Sequence, residues 1–284
     1  MPCVGDKLAS GIVNTPRFVP LSYTMPIAVI VNGQERGLRR TVGLLKQNLL
    51  LPNDAVMFLA CESGNPAVTA SYFQGAQYGG SLILPSLRDA EFNAFMYFLD
   101  TCNRPAITSE AFGRSGEGWN MGYLHSSGTV IQYYQVWKAW QMILDYERAN
   151  NMRFDIVVRC RTDSILTEKL DLSLPYFGSE RIRTRQTGAA EVTLRDNNVV
   201  TFGQEQFWVA RRDVFALLGP MLFSYGSWDS GGLYPFNSES FFAQFCKANN
   251  IVHDMFIEPG DMFNFSHPGD EVVTTYPMVF SLLR

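Results

Sequence analysis

Two short apolar runs near the start of the chain have the pattern of strands that are buried on both faces. The first run is PIAVIV at residues 26–31, and the second is AVMFLA at residues 55–60. Uninterrupted runs of this length, rich in β-branched residues, are typical of central strands in a parallel sheet. Between them, apolar residues at 38, 42, 45 and 49 predict a helix over residues 38–50, which ends before Pro52. The three segments predict a strand–helix–strand unit with a right-handed crossover.

The second half of the pattern begins with a long helix that ends at Asn150. Apolar side chains fall on one of its faces, at Tyr133, Val136, Trp137, Trp140, Ile143 and Leu144. A third buried strand starts at Phe154 and ends near the polar residues 161–163. Further segments are predicted as helices at 89–100, 211–218 and 238–249, as a strand at 251–257, and as a hairpin or meander formed by 182–194 and 199–209.

These elements predict an α/β fold with a mostly parallel open sheet flanked by helices, followed by an antiparallel C-terminal portion. A chain of 284 residues agrees with one large domain. Its 46% of hydrophobic and 18% of charged residues exclude disorder and a coiled coil. The formal charge of -4 argues against a nucleic-acid partner, because such a protein needs a basic face to neutralise phosphates.

The cysteines and the apolar segments indicate the cellular compartment of the protein. The five cysteines are widely spaced and form no Cys-x-x-Cys pair, so the sequence predicts neither a disulfide framework nor a zinc site. The N-terminal residues contain no signal-peptide-like stretch, and no run of roughly 18 apolar residues predicts a transmembrane segment. We therefore expect a cytoplasmic protein.

The polar triplet Arg161-Thr162-Asp163 is the first candidate site, because it stands at the end of a predicted strand. In open α/β sheets, ligands bind at the carboxyl ends of the strands. A carboxylate there can hold Mn²⁺ or Mg²⁺, which in turn bridges the phosphates of a nucleotide. Two structural alternatives remain open: Asp163 caps the next element, or Arg159 and Arg161 form an ion-pair group with it.

The end of the first strand is the second candidate site. Asn32 and Gly33 favour a tight turn, and Arg36, Arg39 and Arg40 form the only early cluster of positive charge. The backbone N–H groups of the following helix would face a ligand at this point, so an anion is the expected guest. The alternative is a solvated, basic start of a helix.

At these two sites the chain resembles the GT-A-fold glycosyltransferases. In that family the last Asp of an Asp-x-Asp-like triplet, here Asp163, binds a divalent metal on a nucleotide-sugar donor. Arg161 stands in place of the first acid, and an arginine can itself stabilise a diphosphate. IAVIVNGQERG at 27–37 is similar to the opening strand and Gly-Gln-x-Arg turn of a group of these transferases that includes some encoded by large DNA viruses. Further spaced matches fall at 55–62, 154–166 and 238–250.

The resemblance implies a single GT-A-like (Rossmann-like) catalytic domain over residues 1–284. Residues 25–166 would then bind the nucleotide-sugar, expected to be a UDP-sugar, and residues 167–284 would bind a glycan or glycoprotein acceptor. The implied reaction is a metal-assisted inverting transfer with Mn²⁺ or Mg²⁺. The implied donor-binding residues are Asn32, Gly33, Gln34, Arg36, Arg39, Arg40 and Arg161.

Inverting transfer needs a base that takes the proton from the acceptor hydroxyl. The family places an acid near the start of a late helix, which here implies Glu239, and Asp229 is the other candidate. Glu239 has a structural alternative, since an acid in the first turn of a helix complements the helix dipole. His267 is similar to a late histidine that completes the metal shell in several of these enzymes, although a surface histidine fits the same pattern.

Two other functions remain open. A sugar-nucleotide-synthesising nucleotidyltransferase would share the nucleotide-binding half, but its first turn should be glycine-rich and followed by Arg and Lys. Here the turn has one central glycine, and the first Lys after it is Lys46. A non-catalytic glycan-binding protein on a degenerate transferase scaffold would account for Arg161 at the position of an acid.

Overall fold

The structure is a computed structural model that describes residues 25–102, 128–166, 169–170, 172, 182–184, 188–190, 194–202, 207–224, 238–256, 273–275 and 280–283. Asp229 and His267 lie outside these residues.

A seven-stranded sheet forms the centre of the described fold. Its strands are β1 (Ile27–Gln34), β2 (Val56–Glu62), β3 (Gln77–Leu84), β4 (Ile156–Arg161), β8 (Asn198–Phe202), β9 (Phe207–Arg211) and β10 (Val252–Phe256). They follow the spatial order β10-β8-β9-β4-β1-β2-β3. All neighbouring pairs are parallel except those of β9, which runs antiparallel to both β4 and β8. The prediction of a mostly parallel α/β sheet is therefore confirmed.

Further antiparallel pairs form two smaller sheets. The first has the order β11-β12-β5, with β5 at Ser164–Leu166, β11 at Val273–Thr275 and β12 at Phe280–Leu283. The second pairs β6 (Ile182–Thr184) with β7 (Gly188–Ala190). The predicted meander differs in its pairing, since β6 and β7 pair with each other while β8 and β9 join the central sheet.

Helices cover both faces of the central sheet. They are α1 (Leu38–Leu45, continued by a π-helical turn at Lys46–Leu50), α2 (Pro66–Tyr72), α3 (Ala90–Cys102), α4 (Gly128–Asn150), α5 (Arg212–Leu218) and α6 (Ser238–Ala248). The predicted helices at 38–50, 89–100, 211–218 and 238–249 and the long helix to Asn150 are confirmed. None of the helices in the described ranges is long and apolar enough to cross a membrane.

Alternation along the strands sends side chains into two separate cores. In β1, Ala28 and Ile30 pack into the core beneath α4, whereas Val29 and Val31 pack into the core beneath α1. Successive side chains of a strand point to opposite faces, so the residues that continue the Ala28 series lie on the α4 side. At the carboxyl end of β1 this series reaches Asn32, which is fully buried. The α4 face of the sheet therefore changes from apolar to polar at the strand ends.

Candidate functional site

A polar cavity of about 340 Å³ lies at the carboxyl ends of the central strands. The chain passes from β1 to β2 and β3 on one side and then crosses back to β4 on the other side of β1. This reversal is the topological switch point at which open α/β sheets bind their ligands. The cavity is lined by Gly33, Gln34, Glu62, Arg88, Ile131, Gln132, Gln135, Arg161, Thr162 and Asp163.

The turn that follows β4 is held to the end of β1 by hydrogen bonds of Thr162. Its hydroxyl donates to the backbone oxygen of Gln34 at 2.6 Å, and its backbone N–H donates to that of Asn32 at 3.0 Å. The Thr41 hydroxyl of α1 donates in turn to the Thr162 carbonyl at 2.6 Å. These bonds hold the turn that follows β4 against β1 and α1. They thereby fix the position of Asp163.

Two glycines allow this close approach. Gly33 has a φ of +136°, and a Cβ at this position would lie 2.6 Å from the Thr162 hydroxyl oxygen. A Cβ at Gly37 would lie 2.8 Å from the Cβ of Asp163. Side chains at these positions would push the turn away from the strand, so the geometry of the site depends on both glycines.

Asp163 and Arg161 form a bidentate ion pair inside the cavity. The guanidinium donates from Nε to Oδ1 and from Nη2 to Oδ2, each at 2.8 Å. The side chain of Asp163 is only 6% exposed and that of Arg161 is 21% exposed. Planar pairing of this kind fixes both groups and is among the stronger ionic hydrogen bonds in proteins. Both carboxylate oxygens of Asp163 are thus engaged by Arg161.

A buried guanidinium lies beneath the α4 wall of the cavity. Arg159 is 1% exposed, donates from Nε to Asn32 Oδ1 at 2.7 Å and from Nη2 to Gln132 Oε1 at 3.2 Å. Its Cζ lies 4.9 Å from the ring centre of Trp208. The Asn32 amide also donates to Gln135 Oε1 at 3.1 Å. Asn32 is thus part of an internal network. β1 continues to Gln34, so the turn that the sequence predicted after Val31 does not form there.

Sequence reasoning missed four polar residues of the lining. Glu62 ends β2 and accepts a hydrogen bond from the Leu87 backbone N–H at 2.9 Å, and Arg88 follows β3 with its guanidinium 5.4 Å from the Phe92 ring centre. Both lie beyond or at strand ends, the same signal that identified Asp163. Gln132 and Gln135 interrupt the buried side of α4 at a spacing of three residues, which is a signal available in the sequence.

The structure brings together four of the residues that the sequence singled out, namely Gly33, Gln34, Arg161 and Asp163. Arg39 and Arg40 are exposed on α1 and are not part of the lining. Arg36 lies in the 3-10 turn Glu35–Gly37 and Glu239 is the second residue of α6, but the side chains of both lie outside the description. Their roles, and those of Asp229 and His267, stay predictions.

The described part of the chain does not fit a metal centre. Among its residues no group of three or more His, Cys, Asp and Glu side chains is arranged to hold an ion. The one predicted ligand within it, Asp163, has both oxygens in the pair with Arg161. We therefore derive no chemical step through a metal.

Two cysteines lie on the strands that form the cavity floor, and neither is a nucleophile. Burial raises the pKa of Cys160 to about 12, and burial together with Glu35 and Glu62 raises that of Cys61 to about 12. Both thiols belong to the core beneath α1 rather than to the cavity. They are protonated at neutral pH, whereas nucleophilic cysteines react as thiolates.

In comparisons with known proteins, no model of a protein family matches the chain, and no curated protein matches it.

Proposed function

We propose that the protein is a GT-A-fold glycosyltransferase that moves a sugar from a nucleotide donor, expected to be a UDP-sugar, to a glycan or glycoprotein acceptor. The observation that carries the proposal is the position of the Arg161–Asp163 pair in a polar cavity at the switch point of the sheet. The resemblance of the same residues to the acidic motif of this family supports it independently of the geometry.

The chemistry of the cavity suits a charged, hydroxyl-rich ligand. Its volume of about 340 Å³ lies within the range of small-molecule sites. Ile131 supplies the only apolar side chain of the described lining, and the others are charged, amide or hydroxyl groups or glycine. An apolar ligand would leave these groups unpaired at a considerable cost, whereas phosphates and sugar hydroxyls would satisfy them.

In the proposed reaction, a base removes the proton from an acceptor hydroxyl as its oxygen attacks the anomeric carbon. The bond from that carbon to the phosphate oxygen breaks, and its electron pair leaves with the nucleoside diphosphate. Arg161 stabilises the negative charge that develops on the leaving group. Glu239 is our first candidate for the base and Asp229 is the second.

One observation favours a second candidate function, the binding of a nucleotide-sugar or glycan without transfer. Both oxygens of the Asp163 carboxylate accept from Arg161, so its charge is already paired within the protein. A degenerate scaffold of this kind would retain the cavity and lose the chemistry.

The first experiment is a thermal-shift screen of UDP, UDP-sugars and other nucleotide-sugars, with and without Mn²⁺. A ligand that binds only the folded state raises the melting temperature, and we expect UDP-sugars to do so. Ligands that raise it are then tested for UDP release with a panel of glycan acceptors. UDP release that depends on acceptor supports transfer, whereas binding without release supports the second candidate. If no nucleotide-sugar binds, both fail.

The variant Asp163→Asn tests the role of the ion pair. It keeps the size of the side chain but weakens its bonds to Arg161, so we expect transfer to fall by on the order of a hundredfold. Asp145→Asn is the matched control, because Asp145 is an exposed residue of α4 outside the lining. Equal activity of both variants and the unaltered protein would contradict the proposed role of Asp163.

A further inference from the structure

The orientation of the amides in the α4 wall follows from the chemistry of one buried residue. A guanidinium only donates hydrogen bonds, so an amide group that faces it must present oxygen. Arg159 faces Asn32 at 2.7 Å and Gln132 at 3.2 Å. Both side chains must therefore turn their oxygens towards Arg159.

The orientation then passes from Asn32 to the second glutamine. Since Asn32 Oδ1 faces Arg159, its Nδ2 lies on the other side, where it donates to Gln135 Oε1 at 3.1 Å and to the Gln132 backbone oxygen at 3.4 Å. Gln135 must accept, because the group opposite it is a donor. Arg159 thus fixes three amides, the last of them through Asn32.

Two amide nitrogens of this network donate no hydrogen bond within it. Nε2 of Gln132 and Nε2 of Gln135 have no hydrogen-bond partner among the residues that the structure describes. Both residues line the cavity, and Gln135 is only 1% exposed. Neither nitrogen is among the fully buried side-chain atoms of the described residues that lack a partner, so both remain accessible at the cavity, where a bound group can accept from them. Two donors fixed in direction and turned away from the internal network are suited to a ligand that accepts hydrogen bonds.

We propose that Gln132 and Gln135 donate to the diphosphate of the ligand, and that Asn32 and Arg159 are positioning residues that hold these two amides as donors. This inference rests on the proposed function for its choice of ligand. Diphosphate oxygens only accept, so they can pair with both amides and with the guanidinium groups of Arg88 and Arg161 in the same cavity. A sugar hydroxyl would use such an array less completely, since it also donates.

Asn32→Asp tests the positioning role without touching the ligand, because Asn32 is fully buried. One oxygen of aspartate accepts from Arg159 as before. The other oxygen no longer donates, so the Gln135 amide rotates to donate to it and turns its own oxygen to the cavity, while the Gln132 backbone oxygen loses its donor. We expect the melting temperature to fall for this reason, and the affinity of the folded variant for inorganic pyrophosphate and for UDP, measured by calorimetry, to fall on the order of tenfold.

A side-chain amide spectrum separates this rotation from a general effect of charge. In the unaltered protein, the ¹⁵N–¹H signals of the Gln135 amide should shift when pyrophosphate is added. In Asn32→Asp they should already be shifted without ligand and respond little to it. Unchanged amide signals together with unchanged affinity would overturn the positioning role.

Gln135→Glu tests the donor directly. Glutamate still accepts from Asn32, but it presents a charged oxygen where the amide presented N–H groups, so pyrophosphate affinity should fall by more than tenfold. Gln141→Glu is the matched control on the same helix, at a half-buried position outside the lining, and should bind pyrophosphate normally. Unchanged affinity in Gln135→Glu would overturn the inference, even if Asn32→Asp fails to fold.

The outcomes distinguish this inference from the proposed function. Pyrophosphate binding that depends on Gln135, without any sugar transfer, would support the inference and contradict the transferase. Transfer that is unaffected by Gln135→Glu would support the transferase and contradict the inference. Absence of binding of both UDP and pyrophosphate to the unaltered protein would overturn the inference. The UDP and pyrophosphate arms also show whether the nucleoside adds affinity to that of the phosphates.

Discussion

Two polar clusters lie on opposite faces of the sheet, and they differ in what their hydrogen bonds join. The α4-face cluster consists of Asn32, Gln132, Gln135 and Arg159, whose bonds run mainly between side chains. The α1-face cluster consists of Thr41, Asn48 and Asn53, whose bonds run to the backbone. Apart from the half-buried Gln132, the residues of both clusters are buried, so burial alone does not separate them.

The α1-face cluster bonds to backbone groups of the segment that follows β4. Asn48 donates to the Leu166 carbonyl at 2.6 Å. Asn53 donates to the Leu49 and Leu170 carbonyls at 2.7 and 2.6 Å, and its oxygen accepts from the Leu172 backbone N–H at 2.7 Å. Side chains that saturate backbone groups in this way hold a fold together.

By contrast, the network of the α4-face cluster does not end on backbone groups. It ends in two amide nitrogens that line a cavity. Polar groups with unused hydrogen-bonding capacity at a cavity can bind a ligand, whereas groups whose capacity is used by the backbone stabilise the fold. The comparison predicts that substitutions in the two clusters separate stability from binding.

Asn53→Ala should have the largest effect on stability. It removes two donated bonds and one accepted bond, and leaves backbone groups of Leu49, Leu170 and Leu172 unpaired in the interior. We expect the free energy of unfolding to fall by about 3 kcal/mol, with unchanged affinity for pyrophosphate. Urea denaturation and calorimetry measure the two quantities.

The matched control is Asn150→Ala at the exposed end of α4, where the side chain bonds only within its own helix. It should change the free energy of unfolding by less than about 0.5 kcal/mol. A loss of pyrophosphate binding in folded Asn53→Ala would break the distinction between the clusters.

Thr41→Val should have a smaller effect that extends into the site. Valine has the shape of threonine but leaves the Thr162 carbonyl without its 2.6 Å hydrogen bond. We expect unfolding to become easier by about 1–2 kcal/mol. Because Thr162 lines the cavity, pyrophosphate binding should also weaken a few-fold. Thr69→Val is the control. It replaces another buried threonine, whose hydroxyl donates to the Ser63 hydroxyl at 2.8 Å, and it should affect stability alone.

The sequence predicted the three strands of the site because each contains an apolar run, and strand-end position then indicated Asp163. It predicted that β1 ends at Val31, but the strand continues to Gln34. Asn32 and Gly33 have the local pattern of a turn, yet Asn32 stays in the strand because Arg159, 127 residues away, pairs with its side chain. A contact over that distance leaves no local pattern.

The segment containing α2 and β3 was missed for a related reason. Gly79 and Gly80 have the pattern of a break, but they lie inside β3. The ring of Phe58 occupies the place of a Gly79 side chain, 2.3 Å from where its Cβ would stand. The glycine is thus a consequence of packing between neighbouring strands, which the order of residues alone does not reveal.

Asp89→Asn should have the smallest effect and sharpens the comparison, since Asp89 bonds to α4 but lies outside the cavity lining. Its carboxylate accepts from the Phe92 backbone N–H and the Tyr134 hydroxyl, each at 2.8 Å. Burial alone would raise the pKa of Asp89, but these bonds and the charge of Lys138 outweigh it and lower the pKa below 3.8. A carboxylate with a lowered pKa stabilises the fold above its unfolded pKa, and this contribution is lost as the pH falls through the folded value.

At neutral pH, Asp89→Asn should therefore lower the free energy of unfolding by about 1 kcal/mol, because a neutral amide oxygen accepts more weakly than a carboxylate and loses the attraction of Lys138. The gap to the unaltered protein should shrink as the pH falls from about 4 towards 2, as urea denaturation across that range would measure. Pyrophosphate affinity should not change. A loss of affinity would mean that the side of the sheet on which a polar group lies, rather than its spare hydrogen-bonding capacity, decides whether it serves binding.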